Sequence, residues 1–102
     1  MASTFAVLAD PSRREILDLL RTGPRQVNDL VDALPLKQPT VSKHLKVLRE
    51  AGLVDVRVDA QRRWYALRPE PLAEIDRWLR PYRRMWEASF DALERHLEVM
   101  DP

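Results

Sequence analysis

The apolar positions of this chain change period twice. Up to Leu48 they recur in short bursts at helical spacing. From Leu53 to Leu67 they partly alternate, and from Leu72 onward they form one long helical stripe. The first burst predicts a short helix over residues 3–9, with Ser3 or Thr4 as its cap. Asp10-Pro11 restarts the chain, since an Asp cap followed by Pro at the first helical position is a start signal. Ser12 and Glu15 offer an alternative capping box two residues later. Ile16, Leu17, Leu19 and Leu20 supply the apolar face, and Gly23-Pro24 is expected to stop this helix with Gly as a left-handed cap. Asn28 is expected to cap a third, short helix whose Leu30, Val31 and Leu34 face inward and which Pro35 ends.

Gln38-Pro39 is the next start signal, about three residues beyond Leu34, which is the spacing of a helix-turn-helix at about 28–51. The second helix of the pair runs from about residue 38 to Ala51. Val41, Leu45 and Leu48 lie on one face with Val47 beside them, and Gly52 is its cap. A wing at about 53–68 follows. Leu53, Val54, Val56 and Val58 make one strand, Asp59-Ala60-Gln61 the turn, and Arg62 to Leu67 the other. An isolated hairpin is marginal, so this one must lean on the helices. Pro69 and Pro71 close it. The stripe Leu72, Ile75, Leu79, Tyr82, Trp86, Phe90, Leu93, Leu97, Met100 is spaced 3, 4, 3, 4, 4, 3, 4, 3, close to a heptad pattern. Pro81 predicts a kink or break near residue 80 and hence C-terminal helices, in the plural, over about 71–100. The expected fold class is mainly α with a small β-hairpin, a winged helix-turn-helix in one domain spanning 1–102.

Composition first obscures this picture and then sharpens it. The net charge of the 102 residues is only +1. Split by segment, residues 1–35 carry four Arg against five acids, and residues 69–102 carry five Arg against eight. Residues 36–68 carry three Lys and five Arg against three acids, a net +5 on the helix and hairpin that would meet a duplex. With no Cys there is no disulfide framework and no thiolate metal site, which fits a cytoplasmic protein. No secretion signal is expected, because Phe5 to Ala9 is too short for a hydrophobic core region, and no stretch approaches a membrane span. Two Gly leave no Gly-rich phosphate loop.

A helix that enters the major groove needs an apolar inner face and a short polar or basic outer one. Val41 and Leu45 supply the first. Lys37, Gln38, Pro39, Thr40, Ser42, Lys43, His44 and Lys46 form the rest of the helix start. Gln can bond adenine in bidentate fashion, and Ser and Thr can serve either partner. Lys46 and the wing's Arg57, Arg62 and Arg63 suit phosphates. A solvated amphipathic helix beside a charged hairpin is the plainer reading. The coincidence of the basic residues with both elements favours double-stranded DNA.

Leu8-Ala9-Asp10-Pro11-Ser12-Arg13-Arg14-Glu15-Ile16-Leu17 resembles the opening of ArsR/SmtB-type winged-helix regulators. The run from Gln38 through Ser42-Lys43-His44-Leu45 to Gly52-Leu53-Val54 is similar to their recognition helix and the start of their wing. The resemblance covers residues 5 to about 68 well and the C-terminal region more loosely. It implies a dimeric bacterial transcriptional regulator, usually a repressor, in which the positions of Gln38, Thr40, Ser42 and His44 face DNA. It also implies that the first and last helices make the dimer interface, here Phe5, Leu8, Leu79, Tyr82, Trp86, Phe90, Leu93 and Leu97. Two departures stand out: many relatives carry Ser where this chain has Lys37, and Gly where it has Ala60. The family's metal sensors use Cys pairs or His/Asp/Glu sets. This chain has no Cys and two His, and His96 with Asp91, Glu94 and Glu98 has weak ligand spacing, so no metal or cofactor is expected. A small-molecule inducer is compatible with this branch, but the sequence identifies none.

Trp78, Tyr82, Met85, Trp86 and Phe90 could line a small-molecule pocket. Aromatic residues at helical spacing are more often core, here the core of a homodimer. Nothing points to an enzyme: Ser42 and His44 are two apart on a helix and do not face each other. Two other readings remain open at this stage, a winged helix that docks an acidic protein and a DNA binder without sequence preference.

Overall fold

The computed structural model describes residues 3–100. Its order is α1 (Thr4–Leu8), α2 (Pro11–Leu20), α3 (Val27–Ala33), α4 (Gln38–Glu50), β1 (Val54–Asp59), β2 (Arg62–Leu67) and α5 (Leu72–Met100). Local chemistry sets most boundaries. Ser3 Oγ accepts the Ala6 N–H (3.1 Å) and starts α1. Asp10 Oδ1 accepts the Ser12 and Arg13 amides (2.8 and 3.3 Å), and Pro11 needs no partner at the first helical position. The cap of α3 is Gln26, not Asn28. The Asp29 carboxylate, three residues on, accepts the Gln26 N–H (3.1 Å), so the helix starts one residue before the expected cap. Gly23 lies two residues past the cap of α2, Arg21, and its φ of +144° is glycine territory but not the left-handed helical region expected for it.

At the end of α4 the left-handed cap is where the pattern placed it. Gly52 has φ +76°, its N–H donates to Arg49 O (3.0 Å), and the Leu53 N–H donates to Leu48 O (3.0 Å). These are the two bonds of a Schellman motif, which satisfies carbonyls that the helix end would otherwise orphan. Its hydrophobic companions, Leu48 and Leu53, are both fully buried.

One cluster holds the fold together. Val7 from α1, Ile16, Leu17 and Leu20 from α2, Leu30 from α3, Val41, Leu45 and Leu48 from α4, and Leu53 and Val54 at the root of the wing are all buried. β1 and β2 pair antiparallel from Val54↔Leu67 to Asp59↔Arg62. The turn is therefore two residues, Ala60–Gln61, and Asp59 belongs to the strand. Ala60 takes φ +56°, the conformation for which a glycine would serve. The wing does not stand alone. Arg25, between α2 and α3, exchanges backbone hydrogen bonds with Tyr65 (2.9 and 2.8 Å), so β2 is bonded on both edges. Its root is buried at Val54 and Ala66 while its outer end is open.

α5 departs from expectation. It runs unbroken through Pro81, so there is one C-terminal helix and not two. It packs on α1, where the Phe5 ring meets Trp78 edge-on at 5.8 Å, and then projects away. The molecule measures 66 × 30 × 22 Å, with a radius of gyration of 18.9 Å. A compact chain of this length would have about 13 Å. No helix among the described residues is long and apolar enough to cross a membrane.

Candidate nucleic-acid interface

The burial of α4 divides its residues by role. Val41, Leu45 and Leu48 are buried, while Lys37, Gln38, Pro39, Thr40, Ser42, Lys43 and Lys46 are exposed. The exposed set runs from the N-cap into the third turn, and its first members, Lys37 to Thr40, lie where the helix end carries partial positive charge. Lys37 sits at the N-cap and its side chain makes no capping bond, in keeping with the lost Ser of the family pattern. Its carbonyl closes the first turn by accepting from Thr40 and Val41 (3.1 Å each).

His44 is the exception. It is half-buried, and its Nδ1 accepts from Arg13 Nε of α2 at 3.4 Å. The same guanidinium donates through Nη1 to Val7 O of α1 (3.2 Å). Asp10 completes this corner. Partial burial opposes its charge, but the Arg13 and Ser12 amides and the Arg13 guanidinium outweigh that and hold the carboxyl below the usual carboxylate range. Arg13 carries no signal of this contact in the sequence, because its partner lies 31 residues away.

The wing arginines do not form one group. Side chains alternate across a strand. In the observed register Arg57 and Arg62 share a face with Asp59 and Trp64, whereas Arg63 shares the opposite face with Val58. All three are exposed. Among the described residues no ion pair engages Lys37, Lys43, Lys46, Arg57, Arg62 or Arg63. Several arginines elsewhere are committed. Arg14 donates to Leu8 O (2.6 Å) and Arg25 to Leu19 O (3.1 Å). Arg68 donates to Asp55 (3.1 Å) with Glu70 nearby (3.6 Å), and these partners raise its pKa further. Arg80 and Arg83 pair with Asp76, whose carboxyl is held low chiefly by the Arg83 hydrogen bond. Arg21, Arg77, Arg84 and Arg95 form no ion pair among the described residues either, so what distinguishes α4 and the wing is net charge: residues 36–68 carry +5 while the segments on either side are net acidic.

The expected interface residues also separate. Leu8 and Leu79 are half-buried, and Leu8 packs against the core of its own chain. Trp86, Phe90, Leu93 and Leu97 stand 52%, 69%, 53% and 56% exposed along the projecting part of α5. Phe5 and Tyr82 are exposed too, joined by Trp78, which contacts both rings. Sequence spacing left Trp78 out of the interface set because it lies off the heptad stripe. Asp91, Glu94, His96 and Glu98 are all exposed, and among the described residues no three His, Cys, Asp or Glu side chains converge on a metal-sized site.

Residues 10–56 match the family described as bacterial regulatory protein, arsR family. Over 71 residues the chain is 46% identical to an HTH-type transcriptional regulator of Mycobacterium tuberculosis, covering 70% of this chain and 66% of that one. It is 39% identical over 75 residues to the arsenical resistance operon repressor of Staphylococcus aureus, covering 74% and 72%. Among solved structures, the homodimeric winged helix-turn-helix DNA-binding domain from Mycobacterium bovis, a possible ArsR-family regulator, superposes with a TM-score of 0.61 at 31% identity, covering 76% of this chain and 72% of that one. The buried face of α4, the hairpin that follows its Gly52 cap and these matches agree: the chain belongs to the ArsR family of winged helix-turn-helix, DNA-binding transcriptional regulators.

Proposed function

We propose that this protein is a homodimeric, cytoplasmic repressor that binds an inverted-repeat operator and catalyses no reaction. The observation that carries the reading is the joint exposure, on one 102-residue chain, of two unsatisfied surfaces. One is the set of unpaired cations and polar groups on α4 and the wing. The other is the apolar stripe of α5, too long for its own chain to cover. In this reading α4 lies in the major groove. Gln38, Thr40, Ser42 and His44 reach base edges, Pro39 starts the helix, and Lys37, Lys43, Lys46, Arg57, Arg62 and Arg63 serve phosphates. Phe5, Leu8, Leu79, Tyr82, Trp86, Phe90, Leu93 and Leu97 cover one another across a two-fold axis. That symmetry spaces two α4 helices about one DNA turn, roughly 34 Å, apart.

The test is selection of bound duplexes from a random pool, followed by salt titrations on the selected sequence and on mixed DNA. Lys46→Ala and Arg62→Ala should weaken both and lower the salt slope by about one unit each. Gln38→Ala should cost roughly 1–3 kcal/mol on the selected sequence alone. Failure to enrich any sequence would leave only a non-specific DNA binder. Loss of DNA binding with capture of an acidic protein would replace the reading altogether.

A further inference from the structure

The contact between Arg13 and His44 fixes more than a position. A guanidinium has donors only and keeps its proton at every relevant pH. The imidazole nitrogen that faces Arg13 Nε at 3.4 Å must therefore present a lone pair, and that nitrogen is Nδ1. In a neutral ring the proton is then on Nε2. Arg13 cannot rotate away freely. Its Nη1 is held by Val7 O (3.2 Å), and it sits in the first turn of α2, capped by Asp10. His44 Nε2 has no hydrogen-bond partner among the described residues, and it is not among the atoms sealed from solvent. One turn before it on α4 is exposed Thr40, and two residues before it exposed Ser42.

We propose that Arg13 is a positioning residue for DNA reading. From α2 it locks His44 into the Nε2–H form, so that His44 meets the duplex as a hydrogen-bond donor only. The inference rests on the placement of α4 at DNA given above. A hydroxyl such as Thr40 or Ser42 donates or accepts and so tolerates either kind of base edge. A locked Nε2–H accepts only an acceptor: guanine N7 or O6, adenine N7, thymine O4, or a phosphate oxygen. It rejects the amino groups of cytosine and adenine. Arg13 touches no DNA in this scheme. Its effect passes through the ring it holds.

The first measurement needs no DNA. Long-range 1H–15N spectra of the full chain, at mildly alkaline pH, distinguish a protonated from an unprotonated ring nitrogen. His96→Gln leaves His44 as the only histidine signal. The proposal requires an unprotonated Nδ1 and a protonated Nε2. Arg13→Leu should let the two forms mix, and Arg13→Lys, which still offers only donors, should restore the single form. A mixed or Nδ1–H ring in the otherwise wild-type chain overturns the proposal whatever the variants do. The second measurement uses the duplex selected from the random pool. Arg13→Leu and His44→Ala should each lose roughly three- to tenfold in affinity, the scale of one hydrogen bond. The double variant should lose no more than the larger single loss, because both remove the same contact. Losses that multiply overturn the proposal. Substituting 7-deazapurines, or methylphosphonates, one position at a time shows whether a base nitrogen or a phosphate oxygen is the acceptor. That substitution should cost the wild-type chain affinity and leave His44→Ala indifferent. A failure to select any duplex would remove the DNA-reading premise, while the ring spectra would still decide whether Arg13 holds the tautomer.

Discussion

At the wing turn a single residue carries measurable strain. Ala60 sits at φ +56°, where an L side chain crowds the following carbonyl at a cost of roughly 1–2 kcal/mol. Glycine would escape that cost but lose about 0.5–1 kcal/mol more chain entropy on folding. Ala60→Gly should therefore raise the unfolding free energy by roughly 0.5–1 kcal/mol, visible as a higher urea midpoint at unchanged slope. A second residue-scale effect concerns acid. Asp10 is held below the usual carboxylate range when folded, so its contribution is complete above the unfolded value of about 3.9 and is lost as pH falls through the lower folded value. Asp10→Asn keeps a good cap without the charge. Its stability should fall less steeply than wild type's as pH drops below about 4, measured by thermal melts on acidification. Caps of this local kind were legible in the sequence, as Ser3, Asp10-Pro11 and Gly52 show. Asn28 was misplaced because the true cap pairs Gln26 with Asp29, and Gln is a less conspicuous cap than Asn. The Arg13–His44 bond was invisible, since no local pattern encodes a contact between helices that far apart.

Periodicity marked every element of the fold, and it failed only where two local rules competed. Pro81 removes one N–H donor and crowds the carbonyl of Arg77, which predicts a break, yet the 29-residue α5 runs unbroken through it. Arg77 is exposed, so water can satisfy the freed carbonyl, and the apolar stripe on both sides of Pro81 favours one continuous helix. Restoring the bond should stabilise what is already helical. Pro81→Ala should raise the melting temperature, by roughly 1–3 kcal/mol in free energy, with little change in far-UV helix signal. A large gain in helix signal would instead mean that the proline segment is unwound in solution. In the wing, alternation settled what composition could not. Three arginines close in sequence looked like one phosphate-binding group, and the register divides them between two faces.

For the molecule as a whole, near-neutral charge and elongated shape have a common origin. The net acidic charge belongs to the segments that flank the helix-turn-helix and wing, and the net +5 belongs to α4 and the wing. The long stripe of α5 is legible from spacing alone. Leu93 stands more than half exposed on that stripe. Leu93→Asp should abolish the proposed dimer, giving a monomer by light scattering. It should also abolish tight operator binding, because each half-site alone keeps only part of the affinity. A dimer that survived the substitution would move the interface off the C-terminal half of α5. The C-terminal segment 69–102, with five Arg against eight acids, is net acidic, and such a segment disfavours orientations that bring it to phosphate.

The Schellman turn at Gly52 bears on the DNA as much as on the protein. α4 and β1 are separated by three residues, and the last of them, Leu53, is fully buried and its carbonyl accepts the Arg68 N–H (2.7 Å). If α4 reads DNA as proposed, this junction holds it and the root of the wing at one fixed angle, like a calliper. A calliper of fixed gape cannot stretch to fit different groove widths, so the duplex must do the adjusting. Base pairs between the helix and wing contacts would then be chosen for how easily they bend or narrow, and the operator would be selective at positions no side chain reaches.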